Sequence, residues 1–461
     1  MNPDAAARLH SRYQPQAEAD RYIASLNLPP DIDYCILIEP GLGYLLHALR
    51  KIRPECTPVV LHADSSFRST DTCNDAVWYP ECGLQVQAFL ENTIPDTASI
   101  HIIEWRPSLN VYPDACLSLV RECVQFIKRA GASRRTASAF GRRWVRNFFR
   151  NLMLIRTVIV YRVLDMPVVI TGSGPSLESV MPLIANGRQG IFLIAASSSL
   201  PALASGGIIP DMVICTDGGA WALLHLHACF RKSPSLPMMA SSLSAALPSQ
   251  CSELPLLPLN DGSLWQTMAL HAAGIPSVII PQRGTVAASA LELAFELSSG
   301  SIFLAGMDLA LNDIQTHARP HGFDHLFSGQ ATRIQPLYSQ LFMRAWDMRA
   351  GGSHDVYAAW FKDRLDTHSK RIFSLGKNHA ALGDTLTGIP QVKDRTGNGC
   401  FKIITLDNNS NRRNRAVQAL SGALEDSAYA EELTQELAPL LFPLRKDVSA
   451  GEIVQVLKEL N

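Results

Sequence analysis

The stretch from Val168 to Ile184 reads V-V-I-T-G-S-G-P-S-L-E-S-V-M-P-L-I and opens on the β-prone run Val168 to Thr171. A Gly-Ser-Gly-Pro-Ser turn follows, after which Leu177, Val180, Met181 and Ile184 recur at helical spacing. This order predicts strand, tight loop, helix. Pro175 suits the first helical position, where its missing N–H would be unpaired anyway, and Gly172 and Gly174 permit positive φ and close approach of another group. Unpaired N–H groups and the positive dipole end of the helix make the loop a candidate phosphate cradle, although a plain strand-to-helix turn has the same local sequence.

The pattern repeats downstream. Candidate strands end at Thr171, Ala196, Thr216, Ala240, Ile280 and Ala305, and the turns after them read T-G-S-G-P-S, A-S-S-S, T-D-G-G, A-S-S-L, P-Q-R-G-T and A-G-M-D. In an open parallel sheet ligands bind beyond the carboxyl ends of the strands, so these turns are expected to share one crevice. That places Ser197, Asp217, Arg283, Gly284, Thr285 and Asp308 around it. Thr285 is a candidate N-cap, and the helix after it carries charge only at Glu292 and Glu296, which predicts burial. Beyond Asp308 comes T-H-A-R-P-H-G-F-D-H (Thr316 to His325). His317, His321 and His325 are four apart, the spacing of zinc ligands on one helix face, but Pro320 and Gly322 break such a helix. The readings that remain are one imidazole acting as general base, or histidines of a surface loop.

Upstream, a lead-in ends at Pro29-Pro30 and a strand is expected over Asp33 to Ile38. E-P-G-L-G-Y-L-L-H-A-L-R (Glu39 to Arg50) then turns into a helix, a second strand covers Pro58 to His62, and Asp64 lies just beyond. This resembles the first βαβ unit of a Rossmann-like domain, with Leu46 and His47 where a third glycine would stand. It either binds a cofactor such as S-adenosylmethionine or is a structural version of the fold. Ala98 to Trp105 reads as another strand of that sheet. From Lys128 to Leu164 there are ten Lys or Arg and no Asp or Glu. Trp144, Phe148 and Leu152 are spaced four apart, as are Arg142, Arg146 and Arg150, which suits a helix with one apolar and one basic stripe, either a solvated linker or a wall beside an anion. Ile372 to Pro390 reads as loop, Phe401 to Leu406 as a late strand, and Asn411 to Leu460 as packed helices.

The fold class expected is therefore α/β. Residues 1–127 form a Rossmann-like domain, 128–165 basic linker helices, 166–330 a doubly wound central domain and 331–461 a mostly helical region. The 461 residues carry a net charge of -1 with pI near 6.9, so no global field recruits nucleic acid or an acidic membrane. Ten cysteines without a C-x-x-C pair, and a polar start over Met1 to Ala24, are read as free thiols in a reducing cytoplasm.

Taken together the motifs resemble the Maf (motility-associated factor) flagellin glycosyltransferases, whose central domain is shared with archaeal 6-hydroxymethyl-dihydropterin diphosphokinases and is similar in fold to bacterial sialyltransferases. The matching stretches are E-P-G-L-G-Y-L-L-H-A-L, R-T-A-S-A-F-G-R-R-W-V-R-N-F-F-R-N-L (Arg135 to Leu152), V-I-T-G-S-G-P-S-L, G-I-I-P-D-M-V-I-C-T-D (Gly207 to Asp217), R-G-T-V-A-A-S-A-L-E-L-A and L-A-G-M-D-L-A followed by T-H-A. Weaker echoes lie in Tyr357 to Phe361 and Leu375 to Asp384. The resemblance implies transfer of a nonulosonic acid of the pseudaminic or legionaminic type from a CMP-activated donor to Ser or Thr of flagellin. It implies that Gly172, Ser173, Gly174, Pro175 and Ser176 hold the nucleotide phosphate, that Asp217 and Asp308 line the same crevice, that Thr285 is a helix-start contact, and that His317 is the family's histidine. No cofactor beyond the donor is expected. Under the alternative, diphosphate transfer from ATP to a pterin-like alcohol, Asp217 and Asp308 would carry Mg²⁺. A catalytically silent flagellin-binding protein is the third reading. Two departures from the pattern, a shortened segment after His321 and His379-Ala380-Ala381 in place of a Gly-Gly-Ala-like element, bear on the acceptor.

Overall fold

Short Val, Ile and Leu runs alternating with helical segments build parallel sheets in both halves of the chain. The computed structural model describes residues 9–70, 76–95, 98–232, 238–281, 284–350, 357–358, 360–362, 368, 370–376, 382–389, 400–406, 411–425, 428–443, 445 and 447–460. Arg283 and His379-Ala380-Ala381 therefore lie outside the described residues. The chain divides into two units, Met1–Ala137 and Ser138–Asn461.

In the first unit α1 (Pro15–Ser25) precedes β1 (Tyr34–Ile38), α2 (Tyr44–Ile52), β2 (Thr57–Leu61), β3 (Ala76–Trp78), α3 (Val86–Thr93) and β4 (Ile100–Glu104). The sheet is parallel, in the order β3-β2-β1-β4. This is the expected Rossmann-like order, reversing at β1. Two helices follow, α4 (Arg106–Val111) and α5 (Pro113–Leu154), of which α5 begins in this unit and ends in the next.

The second unit contains, among the described residues, an 11-stranded sheet. Its strands are β5 (Thr157–Tyr161), β6 (Val168–Thr171), β7 (Phe192–Ala196), β8 (Met212–Cys215), β9 (Met239–Ser242), β10 (Leu256–Asn260), β11 (Val278–Ile279), β12 (Ile302–Ala305), β13 (Ile372–Leu375), β14 (Asp384–Leu386) and β15 (Phe401–Thr405). The order is β14-β13-β12-β6-β7-β8-β9-β10-β5-β15, with β11 beside β10, and only the β15–β5 pair is antiparallel. Strands β6 to β9 are buried throughout, as both-face coverage of a parallel sheet demands.

Between the strands run α6 (Leu177–Gly187), α7 (Leu200–Ser205), α8 (Ala220–Lys232), α9 (Leu264–Ala273) and α10 (Val286–Leu297). From β6 the chain steps outward to β10. The apolar α10, with Ala290, Leu291, Leu293, Ala294 and Leu297 fully buried, then leads back to β12 on the other side of β6. The strand order therefore reverses between β6 and β12, the place where an open α/β sheet opens a crevice. Next come α11 (Asp324–Gln330) and α12 (Leu337–Ala350), and after β15 the tail helices α13 (Arg412–Glu425), α14 (Ala430–Leu441) and α15 (Ala450–Glu459).

Several expectations need correction. The stretch 128–165 is not a set of linker helices: it is the end of the 42-residue α5 followed by β5, and Phe148, Phe149 and Leu152 sit in the core while Arg142, Arg146 and Arg150 are exposed. The helical region after residue 331 is interrupted by β13, β14 and β15, which extend the central sheet, so Ile372 to Pro390 is not simply loop. Strand β10 went unread because Pro258 stands in its middle. No described helix is long and apolar enough to cross a membrane.

The tail helices are tied to the sheet by polar groups as well as by packing. Arg412, buried, donates to Leu152 O and Ile155 O at 3.1 and 2.7 Å, closing the end of α5. Glu436 on α14 accepts the N–H groups of Leu264 and Trp265 at 2.8 and 2.9 Å and so caps α9 from outside it. Glu436→Ala is expected to cost about 1–2 kcal/mol of stability, the range of a lost helix cap; a lowered denaturation midpoint in urea checks it, and an unchanged midpoint would remove the cap from the account.

Candidate functional site

The reversal between β6 and β12 sets two loops against each other. Gly172 N–H donates to Ala305 O and Gly174 N–H to Gly306 O, both at 2.8 Å, and Ser176 N–H donates to Asp308 Oδ2 at 2.7 Å. A Cβ on Gly172 would lie 2.6 Å from Gly306 O; one on Gly174 would lie 2.7 Å from the same oxygen and strike the Asp308 carboxylate. Gly306 itself has φ +65°, and Leu309, just past Asp308, has φ +46°, a conformation that a side chain adopts only under constraint.

This geometry revises the role of the loop. Three of its N–H groups are engaged by the neighbouring turn, and the anion at the start of α6 is the protein's own Asp308, 1 % exposed. Among the described residues Ser173 keeps its N–H and hydroxyl without a protein acceptor, while its carbonyl accepts Ala318 N–H at 2.8 Å. Gly172 and Gly174 serve close packing of backbone on backbone. Gly172→Val and Gly174→Val are each expected to lower stability by about 1–3 kcal/mol, the usual cost of overpacking; thermal melts read the loss, and a melt like that of the parent would refute the close packing.

The neighbouring turns are similarly occupied. Ser199 Oγ meets Thr171 Oγ1 at 2.9 Å, Ser197 pairs with the Cys215 thiol, and Ser241 Oγ donates to Cys215 O at 2.9 Å. Asp217 is exposed, and its Oδ1 accepts Gly219 N–H at 2.7 Å. Asn147 Nδ2 donates to Gly218 O and Ser244 O, and Asn151 Nδ2 to Leu243 O and Ala245 O. These asparagines on α5 hold the turns after β8 and β9 and were missed in the sequence, where the arginines of the same helix drew attention. Thr285 does cap α10, accepting Ala288 N–H at 3.0 Å, and Gly284 has φ +78° with Tyr357 against it.

The segment after Asp308 returns over the β6 loop. Glu178 on α6 accepts Gln315 Nε2 and Arg319 N–H, each at 2.7 Å, which pins the His317 segment beside Ser173. His317 Nδ1 pairs with Thr316 Oγ1 at 2.9 Å, and its ring stacks on His321 at 4.2 Å between centroids. His321 in turn meets His225 of α8 at 4.5 Å. His225, and Arg344 of α12, whose guanidinium lies 4.9 Å over both Phe323 and Phe327, were not anticipated, because nothing in their own neighbourhood links them to the histidine segment. His325 lies on α11. Among the described residues no three His, Cys, Asp or Glu side chains gather as a metal centre would require.

Electrostatics favour the neutral form of two of these imidazoles, His225 and His321. Burial pushes the His225 imidazole down to about 4, with the Arg344 charge adding to it, and burial, His317, His225 and Arg344 all push His321 in the same direction. The unfolded chain binds these protons near pH 6.5 while the folded chain does not, so stability is full above that pH and falls as pH drops from about 6.5 toward 4. The melting temperature is expected to follow that course. His225→Leu should flatten part of it, and an equally steep profile in that variant would remove His225 as a source.

Another cleft of this unit lies elsewhere, beside Arg188 and Asp211 at the amino ends of β7 and β8, where those two side chains pair at 2.9 Å. In the first unit the Gly41-Leu42-Gly43 turn is likewise engaged internally. Leu42 N–H donates to His10 Nε2 at 3.1 Å, buried Glu39 pairs with His62 at 3.0 Å, and Asp64 accepts from Tyr112 OH at 2.8 Å.

Residues 143–313 match the family model described as 6-hydroxymethylpterin diphosphokinase MptE-like. Two uncharacterized proteins of Treponema pallidum (strain Nichols) are similar, one 30% identical over 305 residues (66% of this chain, 66% of that protein), the other 26% over 210 residues (43% and 36%). The chain thus matches no more than about two thirds of the length of these curated relatives. A solved Maf glycosyltransferase from Magnetospirillum magneticum AMB-1 is similar with a TM-score of 0.54 at 12% identity, covering 100% of this chain and 79% of that one. The fold is thus that of a Maf glycosyltransferase, an α/β architecture with a helical C-terminal region. Within that fold, residues 143–313 are similar to an MptE-like domain.

Proposed function

We propose that the protein is a cytoplasmic glycosyltransferase that moves a nonulosonic acid from a CMP-activated donor to Ser or Thr of flagellin. The observation that carries this reading is the convergence, at the strand-order reversal, of the β6 loop with Asp308 and the His317 segment. In this reading the leaving phosphate is met by Ser173, whose donors face no protein acceptor among the described residues, and by the exposed Arg319 held beside it; Gly172, Gly174, Pro175 and Ser176 shape the loop. Donors fixed in advance stabilise charge that develops as CMP departs. His317, oriented by Thr316, takes the proton of the attacking hydroxyl.

Incubation of the protein with flagellin and a CMP-activated nonulosonic acid is expected to add the sugar mass to flagellin. His317→Ala should slow transfer by roughly 10²–10⁴-fold, the contribution of a positioned base, with CMP affinity retained. An undiminished rate would refute the base.

One observation favours a second reading. Asp308 Oδ1 is buried without a partner among the described residues, and a cation would satisfy it. Diphosphate transfer from ATP to a pterin-like alcohol would use Mg²⁺ there to neutralise phosphate charge. ATP binding that EDTA abolishes, without CMP binding, would select it over the glycosyl transfer.

A further inference from the structure

Phe323 N–H points at His321 Nδ1 at 3.5 Å, a contact that favours the tautomer with the imidazole proton on Nε2. That atom is buried and has no acceptor among the described residues. A buried N–H with nothing to donate to is rare in a folded protein, and it marks a group that a bound molecule completes. Arg344 stands in the same pocket. Its half-buried guanidinium rests on two phenyl rings and meets no carboxylate among the described residues. Burial draws its pKa below the ordinary arginine value, as expected of a cation lacking a counter-ion. Asp324, the pocket's own acid, is committed to His321 N–H at 2.7 Å.

The space between these groups is a cavity of about 20 Å³, bordered also by Thr316 and His317. One bound water needs nearly as much, so the cavity admits a single oxygen of a carboxylate whose remainder stays outside, and not a nucleotide. We propose that His321 Nε2–H and the Arg344 guanidinium form the seat of a substrate carboxylate. This rests on the glycosyl-transfer reading and deepens it. In a nonulosonic acid the carboxylate is bonded directly to the anomeric carbon, so seating it beside His321 brings that carbon to His317, whose ring is stacked on His321. The pair would thereby select acidic sugars over neutral ones and leave the nucleotide to the β6 loop.

Calorimetry on the full chain with CMP and with CMP-N-acetylneuraminate tests the seat. Arg344→Gln is expected to weaken the sugar nucleotide at least tenfold and to leave CMP within twofold, with Arg344→Lys recovering part of the loss. If Arg344→Gln melts early, Arg344→Lys and His321→Gln carry the comparison, each weakening the sugar nucleotide selectively. Equal losses for both probes would assign the seat to the phosphate and overturn the proposal, as would no loss. A second arm separates it from the donor reading. Trp221 lies edge-on to Phe323 at 5.5 Å and reports on the pocket by fluorescence. A parent protein that ignores CMP yet distinguishes N-acetylneuraminate from its methyl ester, with Arg344→Gln blind to both, keeps the seat and refutes the CMP donor. A parent protein that responds to neither probe nor acid refutes both.

Discussion

The contact on which the central unit depends is the one between the loops after β6 and β12. The two strands are neighbours but lie far apart in sequence, and the chain leaves both on the same edge of the sheet. Their backbones approach closely enough that Gly172, Gly174 and Gly306 have no room for a Cβ. The Asp308 carboxylate then occupies the start of α6, where the helix dipole favours an anion. Once this clamp is set, the segment after Asp308 has one course: back across α6, held at Glu178, with its histidines beside the β6 loop. Placement of the candidate base is thus a consequence of backbone packing two turns away.

The same constraint explains why so polar a set of turns is only partly a binding surface. Buried serines after β7 and at the end of β9 have to satisfy carbonyls that the sheet leaves unpaired at its edge, and Ser199, Ser241 and the asparagines of α5 do so. Polarity at the carboxyl ends of strands therefore has two sources, self-satisfaction and ligand binding. They separate only when each donor is followed to its acceptor.

What was legible in the sequence was what local pattern controls. The strand–loop–helix at Val168 to Ile184, the N-cap at Thr285, the buried α10 and the parallel βαβ order all rest on periodicities or cap chemistry within a dozen residues. Three kinds of feature were not legible. Strand β10 hides behind Pro258, which a central strand tolerates only when its own ladder does not need that N–H. Strand β5 was hidden by the charge of the helix before it, although T-V-I-V-Y is a strong β run. The partners of the histidine segment come from α8 and α12, roughly a hundred residues before it and twenty after. His225 sits in an ordinary apolar helix and Arg344 in an aromatic-rich one, so only the fold makes them neighbours.

Both units reverse their strand order, the first at β1 and the second between β6 and β12, and both place an acidic side chain of their own there, yet the two acids differ in how far they are satisfied. Glu39 has His62 and Gly41 N–H on one oxygen and the N–H groups of Ala63 and Asp64 on the other. That is a closed arrangement, in which the carboxylate does structural work at the end of the strand. Asp308 has Ser176 N–H on one oxygen and no partner among the described residues on the other, and His225 Nδ1 and His321 Nε2 are likewise orphaned a short way along the same wall. A fold retains such unsatisfied groups against their desolvation cost when something outside the chain completes them. By that measure the β6–β12 crevice is the candidate site, while the Gly-x-Gly turn of the first unit, with Leu42 N–H taken by His10 and Gly41 N–H by Glu39, is better suited to building its sheet than to holding a ligand.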